Sequence, residues 1–367
     1  MPMILNEEQQ MLADLSERLF ADKASVDTLR AIRGGSLGAD YDTDLWQAMV
    51  ESGLTGILVP EAHGGMDFGL VSAGLVARET GRRLALTPFL STAVLGAIAI
   101  GRAGNAEQHK QWLGPIAEGA LIVALAVDES GKHRPERVAA GATAEGDAFV
   151  LGGEKTLVVD GPNADLFVVS ALHDGKPALF AVDAADAGVT VEAVTSVDTR
   201  SMANVRFDNA SAQRLDAEDD ALDDVLNAGR AMLAMELVGL SRAVFERTLA
   251  YLSERKQFGM RIGAFQALQH RAAHLSVEIE ISEAMAFQAL AAFDAGVADA
   301  SQQILAAKAR AADTARLAAA EGVQMHGGMG MTDEFDIGFF MKRARVASEL
   351  LGDANFCAER FARARGY

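Results

Sequence analysis

Across residues 6–119 the apolar positions recur every three or four residues. Leu12, Leu15, Leu19 and Phe20 share one face of a predicted helix, and VSAGLVARETGRRLAL and STAVLGAIAIGRAG repeat the pattern with tighter burial. A break at VPEAHGGMDFG, with Pro60 and two adjacent glycines, predicts a turn. From residue 120 the period changes. LIVALAV, AFVLGG, KTLVVD, DLFVVSA, PALFAVD, VTVEAV and NVRFDN are short β-branched or aromatic runs, separated by Gly, Asp, Asn and Pro. That rhythm predicts an antiparallel barrel or sandwich. The acidic run from Asp216 to Asp224 predicts a solvated linker that leads into a helix N-terminus. Four long helical patterns follow, over 222–254, 264–296, 301–325 and 335–364. The first is apolar nearly all round, from Met232 to Leu249, and is expected in the middle of a bundle. The predicted fold class is therefore α+β multidomain. An N-terminal helical domain (1–119) precedes a central antiparallel β-barrel domain (120–216) and a C-terminal four-helix bundle (217–367).

Charge and cysteine content narrow the function classes. A formal charge of −18 and a pI near 4.8 argue against nucleic acid, whose binding needs clustered Lys and Arg, and against an anionic membrane. The single cysteine, Cys357, excludes an intrachain disulfide and a cysteine-based zinc site. The N-terminus lacks a basic segment followed by an apolar one, and no apolar run approaches the ~18 residues of a membrane span. A cytoplasmic location is expected.

Several chemistries lack their motifs. No GxGxxG follows a strand, and no GxxxxGK or GxSxG is present. His270, His274 and Glu278 share a helical face, but Arg271 stands where a zinc-protease pattern needs Glu, so no metal is predicted. Glu278 and Glu280 point to different faces and cannot cooperate as acid and base. Two glycine-bearing junctions remain. RKQFG…FQ offers Arg255, Phe258 and Gln266, while QMHGGMG offers Gln324 with bare amides at Gly327 and Gly328. Together they suit a diphosphate with an attached base: a guanidinium fork and backbone N–H groups for charge, a carboxamide for the heterocycle edge. Two ordinary interhelix turns are the competing reading.

The order helices, strands, four long helices, with R-x-x-F-G-x-x-I-x-x-F-Q and Q-x-x-G-G-x-G, resembles the acyl-CoA dehydrogenase family. The resemblance covers nearly the whole chain, including VPEAHGG and LGGEKTLVVDGPNADLFVVSA. It implies that Arg255, Phe258, Gln266, Gln324, Gly327 and Gly328 contact the adenosine diphosphate half of FAD held by a neighbouring subunit. The glycines then let backbone lie against that dinucleotide. It also implies α,β-dehydrogenation of an acyl-CoA by a carboxylate base and reoxidation by an electron-transfer flavoprotein, in a dimer or tetramer.

The chain departs from the family where the chemistry would occur. The family's glutamate near the C-terminus aligns with Leu351, and its alternative, one residue before an arginine, aligns with Gly229 before Arg230. Glu236 lies seven residues beyond Gly229, about 10 Å deeper on the same face, and is the one glutamate nominated as a replacement base. A structural ion pair, with Arg242 for example, is the competing role. The flavin-contacting T-E-P…G-S-D and W-I-T segments read VDESGKHR (127–134) and LVV (157–159). Everything retained serves a neighbour's flavin, and everything lost would serve the chain's own. The resemblance is therefore to the small-subunit type, such as the pimeloyl-CoA dehydrogenase small subunit, with a large companion that supplies the base. Two alternatives remain: a non-catalytic structural partner, and a homo-oligomer that uses Glu236.

Overall fold

The computed structural model describes residues 5–146, 148–215 and 221–367. The chain forms two compact units, one of Met1–Leu29, Leu70–Ala85 and Arg230–Tyr367, the other of Arg30–Gly69 and Leu86–Gly229. Of the acidic run expected over 216–224, residues 216–220 lie outside the described residues, and 221–224 form the first turn of a long helix.

Helices precede and follow the strands. The N-terminal set is α1 (Glu7–Lys23), α2 (Val26–Arg33), α3 (Thr43–Glu51), α4 (Gly69–Arg83), α5 (Ala97–Ala103) and α6 (Ala106–Ala117), with a π-helical turn at Phe89–Gly96. Asn6 opens α1 and Asn105 opens α6, each in a reciprocal capping box with the glutamine three residues on.

Among the described residues, seven strands make the β-rich part: β1 (Val123–Ala126), β2 (Gly141–Glu145), β3 (Ala148–Val159), β4 (Leu166–His173), β5 (Lys176–Asp183), β6 (Val189–Thr195) and β7 (Ser201–Arg214). The ring β2–β3–β7–β5–β4 closes on itself, with β1 added beside β4 and β6 beside β7. Phe167, Phe180, Phe207, Leu151 and Val205 fill its core. The wholly antiparallel barrel is corrected, because β1 runs parallel to β4 and β2 meets β4 in parallel at Gly141 and Leu172. Periodicity reads which face of a strand is buried but not the direction of its partner. AFVLGG and KTLVVD, expected as two strands, are one. A register shift between Leu151 and Gly153 carries β3 through, with Gly153 at φ 139°.

In the helical unit, α7 (Ala221–Glu254) leads to a two-residue hairpin, β8 (Lys256–Gln257) and β9 (Met260–Arg261). Then come α8 (Gln266–Asp294), α9 (Ala300–His326), α10 (Ile337–Glu349) and α11 (Ala354–Ala364). Glycines set the crossing of α4 and α7. A Cβ on Gly81 would lie 1.9 Å from the Glu236 carbonyl oxygen, and one on Gly239 as close to that of Arg78. Asp294 ties the start of α4 to the end of α8 by accepting from the amides of Leu70 and Val71 at 2.7 and 3.0 Å.

The fourth long helix is corrected: it breaks into α10 and α11. Leu351 and Gly352 take φ of 55° and 108°, and Asp353 caps α11 by accepting from the Phe356 amide at 2.7 Å. The carbonyls that the break frees are captured by side chains from α7 and α9.

Candidate functional site

The two glycine-bearing junctions meet at one end of the helical unit. Tyr251, in the last turn of α7, stacks on His326 at the end of α9 with ring centroids 4.4 Å apart, and Phe335 closes the box at 4.9 Å from His326. Arg255 and Gln266 thus lie at the same end as Gln324, Gly327 and Gly328. The His326 Nδ1–H donates to the Gly322 carbonyl at 2.7 Å, which leaves Nε2 as a buried atom without a hydrogen-bond partner in the chain. Burial lowers the His326 pKa, so the ring sits neutral in its aromatic box.

The junction after α7 is a tight turn. Phe258 and Gly259 take φ of 52° and 79°, the paired left-handed conformations of a two-residue hairpin. Phenylalanine is a poor choice there, and its side chain gains no burial: Phe258 is 91% exposed. Arg255 and Gln266 are exposed as well, and the Arg255 amide continues the α7 ladder to the Tyr251 carbonyl. An aromatic ring in a strained, solvated turn has no role in this chain's own core.

The three glycines of HGGMG differ in kind. Gly327, at φ 60°, ends α9 with its amide donating to the Gln324 carbonyl. Gly330 is needed for packing, since a Cβ there would lie 2.9 Å from the Val323 carbonyl oxygen and 3.1 Å from the His326 Cβ. Gly328 has neither reason. It lacks a left-handed φ, and a Cβ on it would meet nothing within 4 Å. Within the chain alone, nothing near Gly328 excludes a Cβ. A cofactor lying on this backbone would fill that open space, so these residues fit the dinucleotide end of FAD.

A second cluster surrounds Arg230 and Leu351, beside the two positions where the resemblance would place a base. Arg230 Nε donates to the Leu351 carbonyl at 2.9 Å, and its guanidinium lies 5.6 Å from the Phe356 ring. Lys308, fully buried on α9, donates from Nζ to the carbonyls of Ala347 and Ser348, both at 3.0 Å, and of Gly352 at 3.4 Å. Burial pulls its pKa down to about 8. Arg230 adds to that fall, while Cys357, Glu236 and Glu349 oppose it. Two cations thus hold the helix break through its backbone, and Leu351 contributes no proton acceptor.

Glu236 lies in the middle of α7, 5% exposed, with Oε1 3.3 Å from Nη1 of Arg343 on α10. The same Nη1 donates to the Ala85 carbonyl at 3.1 Å. The suggested partner Arg242 is corrected. It pairs instead with Glu280 and Glu283 on α8, six residues from Glu236 and on a different face.

In the strand unit, the segment 127–134 closes on itself. Asp128 accepts from the Arg134 amide at 3.0 Å and pairs with His133 Nδ1 at 2.8 Å. Glu129 accepts from the amides of Ala139 and Ala140 and from buried Lys155 at 2.7 Å. Burial alone would raise the Glu129 pKa, but the bonds from Lys155, Ala140 and Ala139 outweigh it and hold the carboxyl below its ordinary value. Leu157 sits at φ 54° with its side chain exposed.

Sequence reasoning missed Tyr251, His326, Phe335, Lys308 and Arg343. The aromatic residues flank the quoted motifs and could have been found there. Lys308 and Arg343 sit in helical patterns whose charges read as solvated, and only the packing shows them buried.

Known proteins match this architecture. A sequence model of the acyl-CoA dehydrogenase N-terminal domain matches residues 6–120, and one of the acyl-CoA dehydrogenase C-terminal domain matches 220–365. The acyl-CoA dehydrogenase IpdE2 of Mycobacterium tuberculosis is 30% identical over 346 residues, spanning 94% of this chain and 93% of that protein. A solved Tcur3481–Tcur3483 steroid ACAD variant superposes with a TM-score of 0.91 at 30% identity, covering 98% of each chain. A chain of the ChsE4–ChsE5 complex from Mycobacterium tuberculosis gives 0.91 at 26% identity, covering 100% of this chain and 99% of that one. Matched in sequence and in fold, this chain belongs to the acyl-CoA dehydrogenase family, oxidoreductases acting on acyl-CoA.

Proposed function

We propose that this chain is the small subunit of a heteromeric, FAD-dependent acyl-CoA dehydrogenase. It offers Arg255, Phe258, Gln266, Gln324, Gly327 and Gly328 to the adenosine diphosphate half of FAD held by a larger companion. The observation that carries the reading is an asymmetry. A Cβ on Gly328 would meet only open space, and Phe258, though edge-on to Phe265 at 6.1 Å, is 91% exposed, whereas the base position expected at Leu351 is tied down through its carbonyl by Arg230. A chain that served only itself would keep both halves of the site.

Each offered group has a physical role. The Arg255 guanidinium makes charge-assisted hydrogen bonds to diphosphate oxygens. Gln266 and Gln324 supply carboxamides for polar edges, and the Gly327 and Gly328 backbone allows close approach. Bound FAD supplies the hydride acceptor for α,β-dehydrogenation, and an electron-transfer flavoprotein is the expected oxidant of the reduced enzyme. The companion supplies the carboxylate that removes the α-proton. Glu236 is assigned a structural role, because Arg343 holds it beneath the helix crossing. The likeness to one chain of the ChsE4–ChsE5 complex and to a steroid ACAD supports a two-subunit assembly acting on a bulky acyl group.

The test is Arg255→Ala in the assembled oligomer, purified with its companion. The Kd for FAD should rise at least tenfold, the lower end of the 1.5–3 kcal/mol attached to such a bond, while the melting temperature of the chain alone stays unchanged. An equal Kd in mutant and parent would contradict the assignment.

A further inference from the structure

Helix α8 is apolar on two opposite faces. Leu275, Ile279, Ala286 and Leu290 are buried, and Ser282 shares a 2.7 Å hydrogen bond with Thr314 of α9, so one face packs into the helical unit. The opposite face carries His270, Ala273, Val277, Ile281 and Ala284. All five are exposed, Val277 at 55% and Ile281 at 42%. At 3.6 residues per turn they fall within a sector about 80° wide. The outward face of a surface helix is ordinarily polar, and a helix that is apolar on both sides is covered on both.

The charges that border this stripe are already matched inside the chain. Arg271 donates to both carboxylate oxygens of Glu321, at 2.6 and 3.0 Å. Glu280 accepts from Arg242 at 2.8 Å, and Glu278 pairs with Arg310. A partner therefore need bring no countercharge, and covering the stripe strands no unpaired charge. The face calls for a surface of small and aliphatic side chains.

The order of side-chain sizes selects that surface. Two copies of α8 laid antiparallel about a twofold axis at Val277 set Ile281 of one against Ala273 of the other, and His270 against Ala284. A large side chain meets a small one at each step away from the axis, the self-complementarity that a twofold interface requires. The same arrangement sets His274 opposite Glu280 and Arg271 opposite Glu283. A parallel pairing would instead set each glutamate against its own like, which costs affinity.

We infer that this face of α8 binds the same face of a second copy of this chain, antiparallel and centred on Val277. The inference is independent of the FAD reading, because none of the five residues is assigned to the flavin. It is tested by sedimentation of the full-length chain purified alone, which should run at twice the chain mass. Ile281→Lys sets a charge against Ala273 of the copy and should raise the dimer dissociation constant at least about tenfold, with circular dichroism unchanged. Introduced cysteines test the register, and the parent serves as the blank because its native Cys357 is buried. On oxidation Val277→Cys should give a covalent dimer, since the axis passes there. Ala273→Cys should not, because its two copies lie about 12 Å apart along the helices, beyond disulfide reach. Ala273→Cys combined with Ile281→Cys should crosslink again. A monomeric parent, which would leave the face to a different partner, overturns the inference. So does an undiminished dimer in Ile281→Lys, no crosslink in Val277→Cys, or a crosslink in Ala273→Cys alone.

Discussion

Arg230 donates from Nε to the carbonyl oxygen of Leu351 across 2.9 Å, which joins the start of one long helix to the break between two others. The arginine beside one expected base position, Gly229, thus clamps the backbone of the other, Leu351. Buried hydrogen bonds to charged groups cost about 1–3 kcal/mol when one partner is removed. Arg230→Met should therefore lower the unfolding free energy by that amount in urea titration. A change within 0.5 kcal/mol would show that the break does not need the clamp.

Lys308 makes the same region sensitive to alkaline pH. Its folded pKa, about 8, lies below the ordinary 10.5, so between those values the unfolded chain binds the proton that the folded chain has released. Stability then rises with pH across that window. The stability difference between the native protein and Lys308→Met should shift towards lysine by roughly 3 kcal/mol from pH 8 to 10.5. A flat difference, or one of opposite sign, would place the amine in its charged form throughout.

The neighbouring glycines separate folding from cofactor donation. Gly330→Ala forces a Cβ against the Val323 carbonyl and should destabilise the chain by about 1–3 kcal/mol, as overpacking does. Gly328→Ala meets nothing in this chain and should leave its melting temperature unchanged or slightly raised. In the assembled enzyme the order reverses for flavin: Gly328→Ala should lose bound FAD despite its stable fold. Full flavin retention in that variant would remove the reason given for the glycine.

Much of this was legible in the sequence, for identifiable reasons. The long helices α7, α8 and α9 follow from sustained 3.6-residue periodicity, and the turns between them follow from the glycines at 259, 263, 296, 327 and 328. The α10–α11 break was not legible, because Leu350 and Leu351 continue the apolar rhythm and only Gly352 and Asp353 mark the stop. Strand β2 was missed, since GATAE lacks the branched and aromatic residues that signal a strand. The partner of Glu236 was misjudged because Arg343 lies 107 residues away, a pairing that only tertiary packing creates.

The central claim is that this chain completes another subunit's flavin site and holds none of its own. Counting FAD tests it most directly, by absorbance titration of the chain purified alone and again with its companion. The account predicts little or no flavin and no acyl-CoA oxidation for the chain alone, and about one FAD per pair of chains in the complex. One FAD per chain in a homo-oligomer that oxidises an acyl-CoA, with activity abolished by Glu236→Gln, would contradict it and make Glu236 the base.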